Sequence, residues 1–224
     1  MKRAECVVVN KRGFSVHRGE PGILVIFSKK KAVYEVFREY LNSKVALTEE
    51  QHEWIRSCSV VKKLRKRQYL LQEGDVWRNH AFVSKGLVRT YSVDEKGMEH
   101  VIAFAMENWW TGDRESLLSG KPSRFNIDAI EDSEIVLFEK QKFEAICAEI
   151  PAFNDMVNGI IDRSFVALQS RINDSISSAV EERYKNFVEK YPSFAARVPQ
   201  NMIASYLGIT RETLSRIRGK AAKG

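Results

Sequence analysis

The chain has 224 residues, 44% of them hydrophobic, with 36 Lys and Arg against 29 Asp and Glu and a net charge of +7. That length can bury a proper core as one large domain or two smaller ones, the apolar share excludes a disordered chain, and the basic excess suits a polyanionic partner if it is concentrated in one place. Three cysteines, Cys6, Cys58 and Cys147, stand far apart with no Cys-x-x-Cys pair, so zinc, iron–sulfur and disulfide frameworks have no support and reduced thiols in a cytoplasmic protein are expected.

Residues 1–32 are basic and irregular, with a Gly/Pro turn at 18–22 and two short apolar runs, "CVVVN" and "ILVIF", that could be strands. They read as an N-terminal extension outside the main fold, disordered or produced by a start codon set too far upstream. "ILVIF" is too short and too far inside for a secretory signal. No run approaches the roughly 18 apolar residues of a membrane helix, so no membrane partner is expected. From Val33 the spacing turns helical, with Val33, Val36, Phe37, Tyr40 and Leu41 on one face. Thr48 with Gln51 three places on predicts a capping box and a second helix, in which His52 reads as solvated. From about Leu64 to Glu139 short apolar stretches alternate with turn residues, the pattern of an antiparallel roll or barrel. "VDEKGME" reads as a hairpin turn with Gly97 at a positive φ.

Helices return after Lys140. "KQKFEAICAEI" stops at Pro151, and a long helix follows with Phe153, Val157, Ile160, Ile161, Phe165, Leu168, Ile172 and Ile176 in a seam. A narrow stripe of this kind suits either a second copy of the chain or packing on its own domain. A further helix, about 178–190, ends at Tyr191-Pro192.

The last stretch, "VPQNMIASYLGITRETLSRIRGK", has the pattern of two helices crossing at a short turn. Pro199 suits the first turn of one helix, Gly208 can end it in a left-handed conformation, and Thr210 can cap the next. Ala204 is small where the backbones approach, and Ile203, Leu207, Ile209, Leu214 and Ile217 fill the wedge. This is helix-turn-helix chemistry. The second helix presents Arg211, Glu212, Thr213, Ser215, Arg216 and Arg218 outward. Beyond Ala195, Arg197, Arg211, Arg216, Arg218, Lys220 and Lys223 stand against Glu212 alone. An arginine can grip guanine O6 and N7, and a carboxylate can accept from cytosine N4. The expected DNA-binding set is Thr210, Arg211, Glu212, Thr213, Ser215, Arg216, Arg218 and Lys220. The bland alternative is a solvated helical hairpin.

"GITRETLSRIR" resembles the recognition segment of the Crp–Fnr family of bacterial regulators, through Thr210, Arg211, Glu212, Thr213 and Arg216. "LLQEGDVWRNHAFVSKGLVRTYSVDEKGMEHVIAFAMENWWTGD" is similar to that family's β-roll, with Gly74, Gly86, Gly97 and Gly112 at its turns. The resemblance covers about residues 35–220. It implies an α+β fold: an N-terminal antiparallel β-roll of cyclic-nucleotide-binding type (33–150), a long dimerisation helix (151–177) and a C-terminal helix-turn-helix domain (178–224). It further implies a homodimer, double-stranded DNA with a palindromic operator, and RNA polymerase as partners. Its base-contacting positions fall on Arg211, Glu212 and Arg216.

At the ligand site the sequence departs from the family, whose cassette has Gly-Glu, a short helix and Arg-Ser-Ala, the acid meeting the ribose and the arginine the cyclic phosphate. Gly112-Asp113 stands for Gly-Glu, Ser123 fills the arginine position, and Arg124 comes one place late. In a strand, one residue changes the face. Gly112, Asp113, Ser123 and Arg124 are the candidate ligand set, but without a placed phosphate partner a cyclic nucleotide is not expected, and no other cofactor is implied. Trp109-Trp110 could line the pocket or pack at a strand end. The four histidines have no metal-ligand spacing, and no metal site is expected. No nucleophile–base pair or Walker loop supports an enzyme. The alternative to a DNA-binding regulator is a ligand-sensing module whose C-terminal helices bind protein.

Overall fold

Helix α1 (Lys29–Asn42) opens the continuous part of a computed structural model that describes residues 9–10, 13–14 and 29–221. Before it, the described residues hold a two-residue antiparallel pair, β1 (Val9–Asn10) and β2 (Gly13–Phe14). The strand expected at 23–27, most of the extension 1–32, and Lys223 lie outside the described residues. Helix α2 (Glu49–Ser57) begins at the capping box: Gln51 N–H donates to Thr48 Oγ1 at 3.3 Å, and Thr48 N–H to Gln51 Oε1 at 2.9 Å. His52, expected in solvent, is buried instead. It lies one turn before Ile55 on the face that α2 packs against α1, where Tyr34 donates its hydroxyl to the His52 carbonyl. Its neighbour across that contact is remote in sequence, so the α2 pattern alone could not show the burial.

Eight strands follow: β3 (Ser59–Leu64), β4 (Tyr69–Leu71), β5 (Asn79–Lys85), β6 (Leu87–Val93), β7 (Glu99–Met106), β8 (Trp109–Thr111), β9 (Asn126–Ala129) and β10 (Ser133–Glu139). The six-residue helix α3 (Arg114–Ser119) interrupts them after β8. They form two four-stranded antiparallel sheets, ordered β3-β10-β5-β8 and β4-β9-β6-β7. Alternation along the strands sends residues to two different cores. Ala81, Val83, Val88, Ala105, Ile127 and Ile135 point between the sheets, with Leu71, Trp77 and Leu117. Phe82, Val136 and Phe138 point the other way, under α1 and under helices α4 (Lys140–Glu149) and α5 (Pro151–Ser177).

The outer face of the second sheet is also apolar, with Leu87, Tyr91, Val101 and Phe104 buried on it. It is covered by the C-terminal helices α6 (Val180–Lys190), α7 (Pro192–Arg197), α8 (Gln200–Leu207) and α9 (Arg211–Ala221). The central strands β5, β6, β9 and β10 are therefore mostly buried on both faces, while the edge strands β3 and β7 keep several exposed positions. The α+β class, the β-roll and the C-terminal helical unit match the expectation from sequence.

Candidate nucleic-acid interface

The turn between α8 and α9 follows from two residues. Gly208 takes φ 68, a left-handed conformation that costs any residue with a Cβ about 1 kcal/mol or more. Its N–H donates to the Ser205 carbonyl at 3.0 Å, and Ile209 N–H donates to the Ala204 carbonyl at 3.0 Å, which satisfies the end of α8. Thr210 then accepts the Thr213 N–H at 3.2 Å and starts α9. Ile203, Ala204, Leu207, Leu214 and Ile217 are buried in the wedge, with Ile209 half-buried. Pro199 sits at the N-cap of α8, one place before the first turn.

Packing of Leu214 and Ile217 decides which way α9 faces. Arg211, Glu212, Ser215, Arg216, Arg218 and Lys220 are exposed along it. Thr213 is half-buried and its hydroxyl oxygen accepts from Thr210, so it belongs to the cap. Among the described residues, Arg211, Arg216, Arg218 and Lys220 form no ion pair within 4 Å. Its own backbone N–H, then the Thr210 hydroxyl, hold the Glu212 carboxyl below its usual range, so it stays an acceptor at neutral pH.

Arg197, counted from sequence with this outward charge, is not part of it. From the end of α7 it pairs with Glu107 at 2.8 Å and with Glu131, on the β7–β8 and β9–β10 turns. The hydrogen bonds it donates to Glu107, set against partial burial, raise the guanidinium above its ordinary value, and Glu107, which burial alone would raise, is lowered by accepting them. Two further residues that sequence reasoning missed join the same seam. Ser205 Oγ donates to the Glu99 carbonyl and accepts from Val101 N–H, both at 2.9 Å, along the free edge of β7. Arg171 of α5 donates to the carbonyls of Ile102 and Tyr206 and lies 3.9 Å over the Tyr206 ring. Their partners are 35 to 106 residues away, so no local signal marks them. Trp109 packs against Phe194 at 5.5 Å and Tyr191 at 5.8 Å, while Trp110 joins Phe37, Phe82 and Phe143 under α1.

The seam of α5 divides in two. Its first turns pack on the chain's own core, with Phe153 and Met156 buried and Val157 and Ile160 against them. Beyond Ile161 the apolar side chains are bare: Phe165, Val166, Leu168, Ile172 and Ile176 are exposed.

The candidate ligand set gathers only in part. Asp113 caps α3, accepting Glu115 N–H at 2.9 Å and Ser116 N–H at 3.2 Å, and its other oxygen accepts from Ser123 Oγ at 2.6 Å. A Cβ on Gly112 would stand 2.6 Å from the Trp77 indole nitrogen. Arg124 is out in solvent, 3.4 Å from Glu115. With the buried carboxylate already satisfied and the arginine outside, these residues do not fit a cyclic nucleotide. Among the described residues, no cluster of His, Cys, Asp and Glu could hold a metal ion, and no helix is long and apolar enough to cross a membrane.

Residues 61–150 match the cyclic nucleotide-binding domain family. The regulatory protein HlyX of Actinobacillus pleuropneumoniae is 24% identical over 190 residues, which covers 79% of this chain and 78% of that protein. The fumarate and nitrate reduction regulatory protein of Escherichia coli K12 is 22% identical over 193 residues, covering 80% and 76%. The solved structure of FixK2 from Bradyrhizobium japonicum is similar with a TM-score of 0.64 at 19% identity, covering 74% of this chain and 85% of that one.

Proposed function

We propose that the chain is a transcription regulator of the Crp–Fnr family that reads DNA as a homodimer, with α9 in the major groove of each half-site. It is a regulator and not an enzyme. The carrying observation is a helix fixed by its apolar wedge that presents unpaired cations and one ionised carboxylate to solvent. Arg211 and Glu212, in the first turn of α9, are in position for base edges, as is Arg216 one turn on. Arg218 and Lys220 lie further along and suit phosphates, with Ser215 and the capped Thr210–Thr213 pair between them.

The proposed division is a sensor roll over 33–150, a dimerisation helix over 151–177 and the DNA-binding unit over 178–224. The bare half of α5 is the surface a second copy covers. Two-fold symmetry then implies a palindromic operator with half-sites about one helical turn, ~34 Å, apart, and RNA polymerase as the downstream partner. The roll's effector is not a cyclic nucleotide, because the cassette offers no cation for a phosphate.

A gel-shift series on matched and scrambled sites, titrated with salt, tests this reading. Arg211→Ala is expected to weaken the matched site by about 1–3 kcal/mol and relax base preference, whereas Lys220→Ala weakens all sequences alike. Equal losses on both sites for both variants would remove the base-reading role. Wild-type protein with no salt-sensitive affinity for any duplex would favour the alternative in which these helices bind protein.

A further inference from the structure

Helices α5, α6 and α8 leave a cleft of about 360 Å³ between them, a volume that takes a small organic molecule. Leu168, Phe187, Leu207 and the rings of Tyr191 and Tyr206 supply apolar wall. Arg171, Arg183 and Lys190 line it as well, and Asp174 is the one carboxylate among the lining residues. Among the described residues, none of these four charges forms an ion pair within 4 Å. Glu189, next to Lys190 in the chain, is already engaged by Lys185 at 3.8 Å.

The three cations are held differently. Arg171 donates to the carbonyls of Ile102 and Tyr206 and lies on the Tyr206 ring, so its position is fixed while no carboxylate offsets its charge. Lys190 is exposed at the end of α6, 5.4 Å over the Tyr191 ring. Arg183 is half-buried, and its Nε–H is shut off from solvent with no acceptor among the described residues. Buried donors are normally matched, and a charged one is the costliest to leave short. The cleft thus has cations, an unmet donor and an apolar wall, and lacks an anion that would use all three.

We infer that this cleft binds a small carboxylate carried on an aromatic or aliphatic body. Arg183 and Lys190 hold the carboxylate, Arg171 adds its field from the α5 side, and Phe187 and Leu207 cover the body. A guanidinium fits this group well, because its planar fork can donate two parallel N–H groups to the two oxygens. The site is separate from the cassette of the roll, where Asp113 and Ser123 close on each other and Arg124 faces solvent. Leu168 and Ile172, exposed on the outer side of the cleft, belong to the bare stretch of α5, so a second copy placed there closes that side. Arg171 lies about 100° round the helix from Ile172, toward α6 and α8. An anion seated here touches α5 and α6 together and lies against α8. Its binding therefore favours the packing of α8 and α9 on α5 seen in this structure and weakens when they separate.

Calorimetric titration of the full chain with hydrocinnamate, and with its neutral amide, tests the inference. Hydrocinnamate is expected to saturate one site per chain, with the amide at least about tenfold weaker. Arg183→Gln/Lys190→Gln should weaken hydrocinnamate by about tenfold, to the level of the amide, and leave the amide unchanged. An unchanged melting midpoint will show that this variant folds. Lys190→Gln alone, at an exposed position, should take part of the same loss and serves if the double variant does not fold. Asp174→Asn removes the opposing charge and should tighten hydrocinnamate by about threefold without affecting the amide. No saturable binding, equal binding of acid and amide, or variants that bind hydrocinnamate as wild type does would each overturn the inference.

Discussion

His80 stacks on Phe143 with centroids 3.8 Å apart and planes 13° from parallel. Burial first, then the charges of Arg114 and Lys140, bring its imidazole down to about 4 from 6.5. The folded value lies below the unfolded one, so the native state favours the neutral ring. The resulting stability is complete above about pH 6.5 and is lost as pH falls toward 4, amounting to about 2 kcal/mol once partial exposure is allowed for. Thermal unfolding at pH 7 and pH 4.5 checks this: His80→Phe should keep the stack and flatten the difference, and an unchanged pH dependence would count against the assignment. At this scale the sequence was legible where one residue decides its own surroundings. Thr48, Gly97, Gly208 and Thr210 each act on neighbours within four places, and each does what its chemistry implies. His52 was misread because its burial depends on α1, and Arg197 because its carboxylates sit on turns 66 and 90 residues away.

Among the elements, α5 is the one whose pattern admitted two answers, and both hold over different lengths. Near Phe153 the stripe finds its partner in the chain's own core, while from Phe165 to Ile176 it finds none. Leu168→Glu/Ile172→Glu places charges on the bare half without touching the packed half. Sedimentation is expected to report a monomer with an unchanged melting profile, and a persistent dimer would move the interface elsewhere. The strands were legible as strands from their alternation and turn residues. Their order was not, because β3 lies beside β10 and β4 beside β9, pairings closed by loops of more than fifty residues that no local pattern encodes.

Across the whole molecule, the β-roll and the C-terminal helices α6–α9 are joined by packing as well as by chain. Arg171 ties α5 to β7 and α8 together, and Arg197 ties α7 to two turns of the roll. The orientation of α9 is thereby linked to the roll and to α5 through fixed contacts. Arg197→Ala is expected to release this link by about 1 kcal/mol, since the pair is partly exposed. Hydrogen exchange should rise by about fivefold across α6–α9 and stay unchanged within the roll. Equal protection in both would mean the apolar seam alone sets the docking. The hydroxyl of Ser205 has a separate consequence. It stands in for a neighbouring strand along β7, filling one acceptor and one donor that the sheet leaves unmatched. A swivel that keeps this hydroxyl in place leaves the margin sealed, whereas complete lift-off bares an unzipped backbone to which any extended peptide could add. Rotation in place is therefore the economical motion for this helical unit, and outright detachment would expose the protein to clumping.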